Sequence, residues 1–395
     1  MTSAVPASAR GLRLLAQHDL AGRGDGMQVI REGDALYVGH NGTTGAGTSI
    51  LDVSTPDRPR LVAQWDAPAH THTHKVQVGD GLLLTNHEGF PLRPPGPRGP
   101  HSAGLAVHSL ADPFRPERIG FWESGGKGVH RIVWEGGRYA HMSATPPGFD
   151  DRIWVVVDLQ DPREPVPVAR WWWPGQWRAG QEEPTWPPGE RYAAHHALVA
   201  DGIAYLGYDD ANLVVLDVSD MTAPRQLAHL HWGGGATHTC MPLPGRGLLV
   251  VTDEQQQDGP HAPERRMHVV DIADPAAPRY VAPFPAPDAA YDASALRFGP
   301  HAFHENRRGS YRSERLVFAT YFNAGVRVYD LEDPTAPREV AHWVPDAPAG
   351  QPVPQSNDLF VDDGGLVWVT DRISGGVAVL APDDELAALM DDARL

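Results

Sequence analysis

A seven-bladed, all-β propeller is the fold this sequence predicts, and three observations predict it. The first is a repeat: His74-Lys75-Val76-Gln77-Val78-Gly79-Asp80-Gly81 returns as His130-Arg131-Ile132-Val133-Trp134-Glu135-Gly136-Gly137 and as His195-His196-Ala197-Leu198-Val199-Ala200-Asp201-Gly202. Looser copies open at His238 and His301, while Met27 and Asn357 hold the same slot before Val29-Ile30-Arg31-Glu32-Gly33 and Phe360-Val361-Asp362-Asp363-Gly364. The second is the period, because the seven heads stand 43 to 65 residues apart, the length of a propeller blade plus insertions. The third is the phase: the last unit has room for three strands, and Arg13-Leu14-Leu15-Ala16-Gln17-His18-Asp19 matches the fourth strand of the first, Arg60-Leu61-Val62-Ala63-Gln64-Trp65-Asp66. A closing N-terminal strand would remove the exposed edge of an open ring.

The single domain, residues 1–395, then divides in order. Residues 11–20 are the closing strand of the last blade, and blades one to three cover 26–68, 72–125 and 128–173. An aromatic loop (174–192) precedes blades four to seven at 193–234, 236–285, 299–345 and 357–382. Each unit runs from its head residue into a short strand, a Gly/Asp turn and an apolar strand such as Ala35-Leu36-Tyr37-Val38. A variable loop, a third strand, a Pro-rich turn and a fourth strand complete it. Asp-Pro after the third strand, as in Val269-Val270-Asp271-Ile272-Ala273-Asp274-Pro275, marks a reversal, because proline cannot donate in a ladder and presets φ for a turn. The tail 383–395 carries Leu386, Leu389 and Met390 at helical spacing, as expected of a short helix packed on the propeller's flank.

Composition narrows the function classes. A net charge of −17 opposes nucleic acid and anionic membranes, whose phosphates it would repel, so neither is expected as a partner. The lone Cys240 excludes an intramolecular disulfide framework. No apolar run approaches a membrane span, and Met1 to Arg10 lacks a signal pattern, so a soluble cytoplasmic protein is expected. The chain has no phosphate-binding glycine loop, no Gly-x-Ser-x-Gly elbow, no Cys-x-x-Cys and no His-Glu-x-x-His, which disfavours nucleotide-dependent and serine-hydrolase chemistry.

The segments Leu216-Asp217-Val218-Ser219-Asp220, Val270-Asp271-Ile272-Ala273-Asp274-Pro275 and Tyr329-Asp330-Leu331-Glu332-Asp333-Pro334 give the chain a resemblance to LVIVD-repeat propellers along nearly its whole length. That resemblance implies the fold and no catalytic motif. The head histidines lie outside the repeat motif.

In an antiparallel blade the strand-one head, the strand-two end and the 2–3 loop share one face, and the long insertions fall there (residues 91–102, 144–151, 254–266, 171–191, 284–300 and 344–355). Long loops on one end of a rigid scaffold are where sites are built. A histidine at a strand head can serve only to bond a neighbouring carbonyl. Five of seven equivalent slots holding histidine points instead to a metal centre, since innermost strands converge on one axis. The expected ligands are His74, His130, His195, His238 and His301, with His72 and His196 as alternates. Neutral imidazole suits Fe, Cu, Zn, Ni or Mn, whereas Ca or Mg would want oxygen ligands. Around these, His40, Glu88, His141, Tyr208, Glu254, Tyr321 and Asp371 end second strands and are candidates for orienting the ligands or moving protons. Trp173, Trp177, Trp186 and Phe90 are candidate walls for an organic small-molecule substrate.

The histidine ring is similar, in architecture only, to that of carotenoid-cleavage-type oxygenases, which hold Fe(II) with four histidines on propeller strands. That similarity implies one Fe(II) ion and an oxygenase acting on a hydrophobic or aromatic molecule. Zn, Mn or Cu at the same site would give a Lewis-acid lyase, isomerase or hydrolase. The third reading is a non-catalytic propeller that binds a protein through its long-loop face.

Overall fold

A computed structural model describes residues 7–91, 96, 99–259, 261–292 and 295–395, and among these the chain is all-β apart from short 3-10 turns and one helix. The expected loops 91–102, 254–266 and 284–300 and the N-terminal stretch therefore lie partly outside the described residues. No helix among the described residues is long and apolar enough to cross a membrane.

The strands form antiparallel sheets that follow the sequence units. The first unit is Gly26–Glu32, Ala35–His40, Ala46–Asp52 and Arg60–Asp66, paired in chain order. The fourth and fifth units are built alike, from Ala197–Ala200 to Arg225–Leu230 and from Thr237–Leu243 to Arg279–Pro283. The second and third units share one nine-stranded sheet, because Gly128 pairs with Glu88 at the head of the third. Leu12–His18 pairs antiparallel with Val377–Pro382, adding a fourth strand to the last unit. Sheets pack face to face. One cluster joins Val29 and Tyr37 of the first unit to Val76 and Leu83 of the second and to Phe360 and Trp368 of the last. Inner strands such as Ala35–His40 and Leu248–Asp253 are buried along their whole length.

The repeat motif has a local cause. In Asp52, Asp217 and Asp271 one carboxylate oxygen accepts the amide two residues on, and the other takes an arginine eight residues on, from Arg60, Arg225 and Arg279. This fastens the turn between the third and fourth strands. The motif aspartate thus makes the fold rather than the site.

Two features depart from expectation. Unit six has no regular first strand: Phe303 makes an isolated bridge to Ala319, and the following segment leaves the blade. Its Arg307 is buried and donates to Gln77, to the Val78 carbonyl and to the Trp134 carbonyl at 2.9 Å, tying unit six to units two and three. The N-terminus also does more than complete the last unit, since Ser8–Arg10 pairs with Arg338–Val344 as the outer strand of unit six. The C-terminal helix is Asp384–Asp392. Asp383 caps it through the Leu386 amide at 2.9 Å, and Leu386 and Met390 are buried against Leu12, Tyr311 and Leu380.

Candidate metal centre

At the head of each unit the ladder carries an extra residue. Register shifts fall between Gly26 and Gln28, Val129 and Arg131, Thr237 and Thr239, and Ser356 and Asp358, so Met27, His130, His238 and Asn357 are each the inserted residue. His195 and His196 together oppose Gly207, as His301 and Ala302 oppose Thr320. Such a bulge kinks the strand and re-aims side chains. It turns the head and the following residue inward, creating two layers where strict alternation would give one. Small residues let the strands close in: a Cβ on Gly39 would lie 2.5 Å from the His74 carbonyl oxygen, and one on Gly207 would lie 2.7 Å from that of His238.

The upper layer is the histidine ring. Successive imidazole centroids are 4.9 Å apart for His74–His130, 5.0 Å for His130–His195, 3.9 Å for His195–His238 and 4.4 Å for His238–His301. All five line one cavity of about 810 Å³, together with His72, Glu88 and Glu254. Ligand atoms converge in two groups, His74–Glu88–His130 and His195–His238–Glu254, within 4.8 Å inside each. The groups meet where His130 Nε2 stands 3.2 Å from His195 Nε2. Each triad thus sets a glutamate beside the histidines of the ring.

Hydrogen bonds sort these rings. Glu88 accepts from His130 Nδ1 at 2.7 Å and the Asn357 carbonyl from His301 Nδ1, so neither neutral ring carries its proton on Nε2. His238 Nδ1 meets the Thr239 hydroxyl at 2.7 Å. His74 differs. Asn86 is fixed by the Lys75 amide and the Val129 carbonyl, so its amide donates to His74 Nδ1 at 3.2 Å, and the neutral ring carries its proton on Nε2. That makes His74 a donor toward the cavity and a weaker ligand than its sequence slot implied. His72 is buried with neither ring nitrogen bonded, and His195 Nδ1 is likewise unpartnered.

Burial drives the electrostatics. It holds His74, His130, His195 and His238 well below the usual histidine range, and His72 and His301 at about 3. All are neutral at pH 7, the ligating form. Burial raises the Glu88 carboxyl. It acts the same way on Glu254, but His301 and Arg297 outweigh it and bring that group to about 2. Each group of three brings its donor atoms close enough to hold one transition ion. Two nitrogens about 2.0–2.1 Å from a common ion, at tetrahedral to octahedral angles, lie roughly 2.9–3.4 Å apart, which brackets the His130–His195 separation.

The lower layer went unread in the sequence. Gln28, Lys75, Arg131, His196, Thr239 and Asp358 each follow a head residue and are buried. Arg131 donates to Glu305 at 2.8 Å, and His196 Nδ1 lies 3.1 Å from the Thr239 hydroxyl. Burial lowers Lys75 and raises Asp358. His196 belongs here, outside the cavity, and is withdrawn as an alternate ligand. Charged residues recurring one place after the heads of apolar strands were the available signal.

Several other expected residues are structural. His40 is closed off between Asp25 (2.8 Å) and Ser49 (2.7 Å), all three buried. His141 lies near the start of strand Tyr139–Thr145, opposite Val133 and away from the head face, tilted against Trp154. Tyr208 donates to Gln176 and accepts from the Trp173 amide at 3.0 Å, and burial raises its phenol. Tyr321 is buried with its hydroxyl near the Arg265 carbonyl, and burial raises it too. Asp371 caps a turn through the amides of Ile373, Ser374 and Gly375. The tryptophans do not wall the cavity: Trp186 stacks on Tyr192 at 5.3 Å, Trp173 packs edge-on to Tyr192, and Trp177 contacts Trp172. Phe90 sits 5.3 Å from His72 at the margin, without lining the cavity. The walls are charged instead: Arg372 comes from the end of a second strand, and Arg152, Arg191 and Arg297 were unforeseen there.

Residues 194–227 match the model of the LVIVD repeat. The fold is similar to that of a periplasmic gluconolactonase of Pseudomonas aeruginosa, with a TM-score of 0.60 at 11% identity over 87% of this chain and 93% of that one. The chain carries an LVIVD-repeat match within a β-propeller-like fold. The WD40 repeats of RRP9 are similar to this fold with a TM-score of 0.60 at 10% identity, covering 96% and 99% of the two chains. The computationally designed protein Ika8 scores 0.52 at 11% identity, covering 93% and 98%. At such identities the likeness concerns the fold alone. No curated protein matches the chain.

Proposed function

We propose that this chain is a metal-dependent enzyme whose site lies on the axis of a closed seven-bladed ring, with Leu12–His18 as its closing strand. The 3.2 Å approach of His130 Nε2 to His195 Nε2, with His130 oriented by Glu88, carries the reading. His130, His195, His238 and Glu254 would hold one transition ion. His301 would adjoin it, and His74 would present an N–H to whatever binds beside it. A bound ion supplies Lewis acidity there and, if it is iron, a redox centre. The chain's own groups orient it. Glu88 fixes the His130 tautomer, the Asn357 carbonyl fixes that of His301, and Arg297 holds Glu254 at 2.8 Å. The charged lining favours a polar small molecule over the hydrophobic one first expected, and with it a lyase, isomerase or hydrolase step. The gluconolactonase likeness is compatible with the hydrolytic case. An Fe(II) oxygenase is the second reading, favoured by the two-histidine, one-carboxylate group His195–His238–Glu254, a ligand set that non-haem Fe(II) oxygenases use.

Elemental analysis of tag-free protein tests this. About one equivalent of a transition metal in the parent chain is expected, lost in H130A and H238A and retained in H40A. Zn or Mn would support the Lewis-acid reading and Fe the oxygenase. A metal-free parent chain that stays metal-free on reconstitution overturns both.

A further inference from the structure

Phe322 sits beside the metal centre with three basic side chains around its ring. His301 lies 5.1 Å from it, and the guanidinium carbons of Arg297 and Arg372 are each 5.5 Å from its centroid. The two arginines are not equivalent. Arg297 donates to Glu254 at 2.8 Å and approaches Asp258 at 3.6 Å. Arg372 lines the same cavity, yet no acid among the described residues comes within ion-pairing distance of its guanidinium, and its Nη1 is buried with no hydrogen-bond partner. An unpaired guanidinium nitrogen out of water is costly. Burial, and after it the Arg297 charge, hold Arg372 below ordinary arginine against the weaker opposing pull of Glu254, Asp258 and Asp371. An oxyanion bound at the Arg372 guanidinium would relieve both.

We propose that Arg372, with Arg297 beside the same Phe322 ring, is the binding subsite for an oxyanion group, carboxylate or phosphate, on the molecule that the metal centre acts upon. The planar guanidinium fork matches both groups. The subsite rests on the proposed metal-dependent activity for its purpose and stands on separate residues for its existence. Glu254 joins the two, since it pairs with Arg297 and lies 3.8 Å from His301 Nε2.

Isothermal titration of the full-length, metal-loaded chain with benzoate and with phenyl phosphate tests it. At least one should bind saturably to the parent protein, and which one binds separates the carboxylate from the phosphate source. R372A and R372Q should weaken that binding at least tenfold while keeping the parental melting profile and metal content. Failure of both probes to bind the parent chain, or equal binding to the parent and R372Q, overturns the subsite. Metal loss in H238A with Arg372-dependent anion binding intact supports the subsite independently. Unchanged metal content in H130A and H238A would instead overturn the metal reading, so the two failures are told apart.

Discussion

Glu88→Gln isolates what orients the metal centre from what builds it. The Glu88 carboxylate takes the Nδ1 proton of His130 at 2.7 Å, and both side chains are largely out of water. Its charge raises the basicity of Nε2 and fixes the ring's tautomer and rotation. A glutamine can still accept from Nδ1 through its carbonyl, so shape survives while charge is lost. Removing such an orienting carboxylate costs about 10–100-fold in metal affinity, or roughly 1.4–2.8 kcal/mol. The folded chain should tolerate the change, because burial already works against the Glu88 charge. The assay is competition for metal against a chelator of known affinity, run beside thermal melts. Weaker metal binding with an unchanged melt is expected. Unchanged affinity would refute the reasoning, since His130 would then not be a ligand held by Glu88.

Four further outcomes follow from the same geometry. Asp25→Ala should destabilise the fold by about 3–5 kcal/mol without altering metal content, because Asp25 holds His40, Thr43 and Thr44 outside the site; coupled loss of metal in chemical denaturation and elemental assays would contradict this. Gly207→Ala should weaken metal binding with no ligand touched, since its Cβ would meet the His238 carbonyl at 2.7 Å; parental affinity in the chelator assay would contradict that route. Met390→Ala should cost about 2–5 kcal/mol by opening the packing under the C-terminal helix, read as a lowered denaturation midpoint. Burial holds His87, His108, His141 and His304 at about 4, against about 6.5 when unfolded. Between those values the unfolded chain binds more protons than the folded one, so stability must fall as pH falls. The slope approaches 1.4 kcal/mol per pH unit for each histidine and the loss ends near pH 4; melts of metal-free protein that stay flat from pH 6.5 to 4.5 would contradict it.

How much was legible in the sequence follows from which interactions are periodic. The strand pattern, the matching of 13–19 to 60–66 and the apolar side of the tail are periodic signals, and the sheets and helix follow them. The five head histidines were legible for the same reason. The bulges at the heads were not, because an inserted residue breaks the alternation on which face assignment depends; hence the charged lower layer from Lys75 to Asp358 was missed and His196 was misplaced. Second strands also differ in length between units, so an alignment by turn put His141 at the head face when it lies near the opposite end. The tryptophan-rich loop was misread because composition shows aromatic content without direction. Tyr208 and Gln176 tie that loop to the flank, and its rings satisfy one another. Arg372 was visible at the end of a second strand, but only the coordinates show it unpaired.

Anomalous scattering from crystals of the metal-loaded chain, measured at the absorption edge of the bound metal, addresses the central claim most directly. One peak roughly 2.0–2.2 Å from both His130 Nε2 and His195 Nε2 is the predicted result. No peak, or one that neither nitrogen reaches, would contradict the account.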